Sequence, residues 1–144
     1  MLTVIKLLLI VSFIVFAVYN QYTRYDSSKE YLNSVVTELS VVDPETFKSV
    51  DFFVGDKSLT VDKSRVYVCL EDDDGSYYDR NMINYVILHE LAHVLCKDCG
   101  ENDHSDPKYK AIFKNLLDSA EEKGLYNSKL PLNKKYCHIQ SSRT

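Results

Sequence analysis

The sequence predicts an α+β domain preceded by an N-terminal membrane-spanning helix, on three observations. An apolar run opens the chain, two short β-branched segments alternate with helical patterns, and one of those patterns contains His89-Glu90-Leu91-Ala92-His93.

The run from Leu2 to Tyr19 carries a single charge, Lys6. A bilayer asks for roughly 20 apolar residues, so this run is at the lower limit of a spanning helix, and Lys6 near its end can snorkel to the interface. A cleaved signal peptide fits less well, because the exit Ala17-Val18-Tyr19-Asn20-Gln21-Tyr22 offers no small-x-small site. The expected division is an anchor over 1–23 and a domain over 24–144, joined through a polar linker, Asn20 to Lys29. The basic residues flanking the run are similar in number on both sides and set no orientation.

The domain is long enough for its own core. Its first helix is expected to open at the capping box Ser27-Ser28-Lys29-Glu30, to bury Tyr31, Leu32, Val35, Val36 and Leu39, and to end before Asp43-Pro44. Val50 to Val54 and Arg65 to Leu70 read as strands. Asp79 or Asn81 caps the motif helix, which runs to about Cys96. Asp106-Pro107 opens another helix that buries Tyr109, Ile112, Phe113, Leu116, Leu117 and Ala120 and stops at Lys123-Gly124. The segment Leu125 to Thr144 has no clear period. The acidic run 72–74 lacks the glycine and glutamate of a calcium loop and reads as a solvated turn.

Net charge is −4, with lysines spread among acids, so no basic stripe for nucleic acid exists and no nucleic-acid partner is expected. Cys69, Cys96, Cys99 and Cys137 permit three complete disulfide pairings, among which the sequence does not choose. Cys96-Lys97-Asp98-Cys99 resembles half of a structural zinc knuckle, but the second pair spacing is missing, which favours a disulfide or buried thiols.

The chemistry lies in the motif. Positions i and i+4 share a helix face, so His89 and His93 can offer two imidazole nitrogens to one Zn2+ ion with Glu90 beside them. The flanks Val86-Ile87-Leu88 and Val94-Leu95 are uncharged, as a buried metal helix requires. A catalytic zinc takes three protein ligands and one water. His104 is the leading third ligand, with Asp103, Asp106, Glu121 and Glu122 as competitors; Asp103 and Asp106 also suit the role of orienting a histidine. Zinc-activated water with Glu90 as general base gives hydrolysis of a peptide bond, and Tyr126 or Tyr136 could donate to the oxyanion. The alternatives are a noncatalytic membrane protein with a structural or vestigial zinc site, and a zinc hydrolase acting on small amides or esters.

Arg65-Val66-Tyr67-Val68-Cys69-Leu70, the Asp74-Gly75 turn, Tyr78-Asp79-Arg80-Asn81, the motif helix, His104, Phe113 and Gly124-Leu125-Tyr126 together resemble the WLM/SprT-like zinc metallopeptidases. The chain is most similar there to small membrane-anchored metallopeptidase-like proteins of large DNA viruses, which share the Pro131…Tyr136-Cys137 pattern. The likeness covers most of residues 60–138. It implies a minimal zincin-like domain, a small sheet packed on the HExxH helix with an edge strand above the metal. It also implies His89, His93 and His104 as ligands, Glu90 as general base, a protein or peptide substrate, and a single-pass protein of a virion or host membrane. SprT-like proteins cut proteins crosslinked to DNA, a substrate that this acidic chain, lacking a basic tail, does not inherit. His138 stands where the viral proteins have glycine.

Overall fold

A computed structural model describes residues 2–99, 103–133, 135–137 and 139–140. The chain is a mixed α+β structure: α1 (Leu2–Leu39), α2 (Pro44–Lys48), β1 (Asp51–Val54), β2 (Leu59–Val61), β3 (Arg65–Val68), α3 (Arg80–Leu95), α4 (Pro107–Glu122), β4 (Lys135–Tyr136) and β5 (Ile139–Gln140).

The first helix departs from expectation. It runs unbroken through the expected boundary at residue 23 and through the expected linker. No proline or glycine occurs between Leu2 and Leu39 to stop it. Ser27 is therefore no cap; its hydroxyl donates to the Thr23 carbonyl one turn back at 3.0 Å. The next residue reaches into the domain, where the Ser28 hydroxyl lies 3.1 Å from Glu71 Oε1 and from Tyr77 Oη. Arg24 pairs with Glu71 and donates to the Gly75 carbonyl at 3.1 Å. Gly75 has φ 78°, a backbone conformation that L side chains rarely adopt, so the turn favours glycine, and the Arg24 guanidinium lies against it. The N-terminal half of α1 is exposed, and the helix is long and apolar enough to cross a membrane. Leu32, Val35 and Leu39 of its second half are buried.

The sheet has the order β1-β3-β2, with β1 parallel and β2 antiparallel to β3. Phe52, Val66 and Thr60 lie side by side in the register, and this face packs on the helices, with Val66 and Val68 buried. The opposite face carries Phe53 and Tyr67, stacked at 5.3 Å. That is the alternation of a sheet covered on one side. Strand β2 and helix α2 were not expected. The hairpin joining β2 to β3 turns through Asp62 and Lys63, both with positive φ, and contains no glycine to mark it.

Helix α3 is buried on nearly every side. Ile83, Ile87, Leu88 and Leu91 are wholly enclosed, each stabilising the fold by about 1.5–3 kcal/mol relative to exposure. Asp79, one of the two expected caps, accepts from Met82 N at 3.0 Å. Asn81 instead brackets Asn127, accepting from its N–H at 2.7 Å and donating to its carbonyl at 3.2 Å. Asp106 caps α4 with Pro107 in the first turn, as expected. Gly124 (φ 70°) closes it, with Leu125 N donating to the Ala120 carbonyl at 2.8 Å. The disulfides are Cys69–Cys137 and Cys96–Cys99. The first ties the β4–β5 hairpin to the end of β3. His138 lies outside the described residues.

Candidate metal centre

His89 and His93 project from one face of α3, and His104 arrives from a 3-10 turn (Asp103–Ser105) just before α4. Their Nε2 atoms form a near-equilateral triangle: 3.2 Å between His89 and His93, 3.0 Å from His104 to each. A neutral imidazole Nε2 either donates or accepts, so three such atoms cannot all hydrogen-bond to one another. A triangle of this edge is instead close to one face of a tetrahedron whose centre lies about 2.0–2.1 Å from each nitrogen, the usual zinc–histidine distance. Among the described residues these are the His, Cys, Asp or Glu groups that come together as a metal ion requires.

Tyr109 of α4 supports the triangle. Its hydroxyl lies 2.9 Å from His89 Nδ1 and 3.3 Å from the His89 carbonyl. Donation from Nδ1–H to the phenol oxygen, and from the phenol to the carbonyl, leaves the Nε2 lone pair turned toward the triangle. Tyr109 also packs on the His93 ring at 4.6 Å, and Phe113, one turn later, meets His89 edge-on at 5.2 Å. Sequence reasoning placed both aromatics in the core but gave the Tyr109 hydroxyl no task.

Glu90 faces the sheet and is 6% exposed. Thr60 on β2 donates to its Oε2 at 2.8 Å and lies 3.0 Å from its main-chain carbonyl. The edge strand is thus joined to the motif helix at the carboxylate itself. Thr60 was missed, for a lone threonine in a three-residue strand carries no signal.

Of the competing ligands, Asp106 and Glu121 are engaged elsewhere. Asp106 accepts from Lys108 N at 2.7 Å as the cap of α4, and the side chain of Asp103 lies outside the described residues. Glu121 accepts from the Ser128 hydroxyl at 2.7 Å and from its N–H at 3.0 Å, bonds that hold its carboxyl below the ordinary glutamate range. Glu122 is exposed at the end of α4. Between His93 and His104 the chain is braced by Cys96–Cys99 and by Lys108 on Asp98 at 2.9 Å.

Of the two expected oxyanion donors, Tyr136 is closed off. Tyr136 is buried, its phenol donating to the Cys69 carbonyl and touching Ser58 Oγ at 2.7 Å. Burial pushes its ionisation up, which keeps that donor protonated. Tyr126 is half-buried, its ring 6.0 Å from that of Tyr85.

Among known proteins, the chain is 43% identical over 86 residues to an uncharacterized protein of Invertebrate iridescent virus 6, covering 58% of this chain and 46% of that protein. It is 36% identical over 98 residues to an uncharacterized protein of Invertebrate iridescent virus 3, covering 67% and 59%. A third, from Acanthamoeba polyphaga mimivirus, is 31% identical over 109 residues, covering 74% and 50%. The chain spans about half the length of the curated relatives it matches. No known family profile and no solved structure matches it. Its homologues are uncharacterized proteins of large DNA viruses.

Proposed function

We propose that this chain is a membrane-anchored zinc metallopeptidase of the HExxH type, with His89, His93 and His104 as ligands and Glu90 as general base. The observation that carries the reading is the Nε2 triangle with its 3.0–3.2 Å edges, on the same helix as a buried glutamate. The small sheet, whose edge strand touches the motif helix through Thr60, supports a zincin-like arrangement of the WLM/SprT kind. The spanning-length helix and the viral homologues support a single-pass protein of a virion or host membrane.

Zinc held by the triangle would supply Lewis acidity, making water a nucleophile near neutral pH and polarising a carbonyl. The chain does the rest. Tyr109 fixes the His89 tautomer, and Thr60 fixes the Glu90 carboxylate, which takes the proton from the attacking water and returns it to the leaving amine. The substrate is a protein or peptide.

The test uses the full chain in detergent, with zinc quantified and denatured protein and a peptide library as substrates. One zinc per chain is expected, with cleavage that falls at least about 100-fold in Glu90→Gln, the lower range for loss of a general base. Cleavage unaffected by Glu90→Gln, or absence of bound metal, sinks the peptidase reading. Zinc bound without hydrolysis would indicate a structural site, and turnover of small esters or amides alone a nonproteolytic hydrolase.

A further inference from the structure

We infer that α1 acts as a rigid strut that restricts this site to polypeptide segments lying close to the membrane surface, an assignment of substrate class that rests on the peptidase reading above. The helix that leaves the apolar run is the helix that packs against the domain, without interruption. Tyr19, Tyr22 and Tyr25 stand exposed where the apolar run ends, the residue type and place that mark a headgroup boundary. From there each turn is tied to the domain. Arg24 bonds Glu71 and Gly75, Ser28 meets Glu71 and Tyr77, and Tyr31 stacks on Tyr77 at 4.6 Å. Further along, Leu32, Val35 and Leu39 are buried, and Glu38 pairs with Arg80 at 2.6 Å. Without proline, glycine or a gap in these contacts, the helix has no place to hinge.

The height of the site follows from the strands. The ends of β1 and β3, marked by Val54, Gly55, Cys69 and Glu71, share a cleft with Gln21 and Arg24, which places them on the membrane side of the domain. Ser58 is level with them, its hydroxyl accepting from Cys69 N at 2.9 Å. Thr60, two residues further along, holds Glu90. Five residues of helix from Tyr19 to Arg24 rise about 7.5 Å, and two residues of strand add about 7 Å. With side-chain reach included, Glu90 stands roughly 20 Å from the level of Tyr19. An extended chain covers that distance in about six residues. The scissile bond therefore falls within about ten residues of a substrate's exit from the bilayer.

The full chain is reconstituted into phosphatidylcholine vesicles with single-span substrates carrying one cleavable sequence at about six, fifteen or forty residues from the span. Cleavage at the shortest spacing is expected to exceed that at the longest at least about tenfold, and a Gly-Ser insertion of about ten residues between Tyr22 and Thr23 is expected to erase the difference. A flat dependence in the uninterrupted chain overturns the inference while leaving the peptidase reading intact, because a free peptide in the same vesicles reports hydrolysis separately. If the free peptide also survives, both fall together. Hydrogen exchange checks the strut without any turnover: amides 20–28 are expected to exchange at least about 100-fold more slowly than an unstructured chain. Exchange there at unstructured rates overturns the inference whatever the enzyme assays give.

Discussion

Thr60 and Tyr109 each give a residue of the HExxH helix a fixed orientation, one by a hydroxyl on the Glu90 carboxylate and the other by a hydroxyl at His89 Nδ1. Replacing Thr60 by valine keeps the strand and removes the donor. Loss of about tenfold in kcat is expected, equivalent to about 1.4 kcal/mol, with KM and zinc content unchanged and Thr60→Ser restoring most of the rate. A loss that serine does not repair, or a change confined to KM, contradicts the positioning role. Tyr109→Phe retains the ring packing and removes the hydroxyl. Zinc affinity is then expected to drop about 10- to 100-fold in chelator competition, the usual range for a lost ligand-orienting bond. The two motif histidines were legible in the sequence because a four-residue spacing has one structural meaning on a helix. His104 was legible from its place in the chain, where a return beside the two histidines was sterically open, and from the resemblance. Thr60 and Tyr109 were not legible as site residues, because nothing in a threonine or a core tyrosine announces which atom its hydroxyl will meet.

At the scale of elements, the helices that sequence reading located best are those with chemical punctuation. Asp79 before α3, and Asp106-Pro107 with Gly124 around α4, mark ends that hydrogen-bonding requires. Where punctuation is missing the reading failed: Ser27-Ser28-Lys29-Glu30 looks like a start, yet the preceding residues contain nothing that prevents a helix from continuing. The β2–β3 hairpin escaped notice for the converse reason, since Asp62 and Lys63 adopt positive φ without the glycine that normally signals such a turn. The C-terminal hairpin has only two residues per strand, too few to hold itself, and depends on the Cys69–Cys137 bridge and on the Tyr136 phenol. That bridge closes a separation of 68 residues. The double substitution Cys69→Ala with Cys137→Ala is expected to lower stability by about 4 kcal/mol on loop-entropy grounds, read from denaturant unfolding. Unfolding at the unmodified midpoint would mean that the hairpin contributes nothing to the cooperative unit.

Over the whole molecule, the triangle joins two pieces that the backbone leaves separate: α3, and the 3-10 turn leading into α4. A ligand that binds only the folded arrangement stabilises it by mass action, about 4 kcal/mol at a thousandfold excess over Kd. Melting temperature is accordingly expected to rise with added zinc in the wild type, to fall on chelation, and to lose this dependence in His104→Ala. A melting temperature indifferent to zinc in the wild type would argue that no metal links the two pieces. The mixed α+β class was legible from the alternation of patterns. The one-sided sheet order was not, because β1 pairs in parallel with β3 while β2, which lies between them in the chain, goes to the outer edge of β3, a long-range choice made by packing.

The bridge between Cys69 and Cys137 also sets an order of events during synthesis. Chains leave the ribosome from the N-terminus at about 5–20 residues per second, and domains assemble as their parts emerge. The apolar segment of α1 emerges before the domain, and the three histidines, with α3 and α4, are complete once Gly124 has emerged. The bridge cannot form until Cys137 follows. The histidine triangle can therefore be present on a nascent chain before Cys69–Cys137 closes, and the bond that fixes the β4–β5 hairpin follows the arrangement of the site rather than organising it.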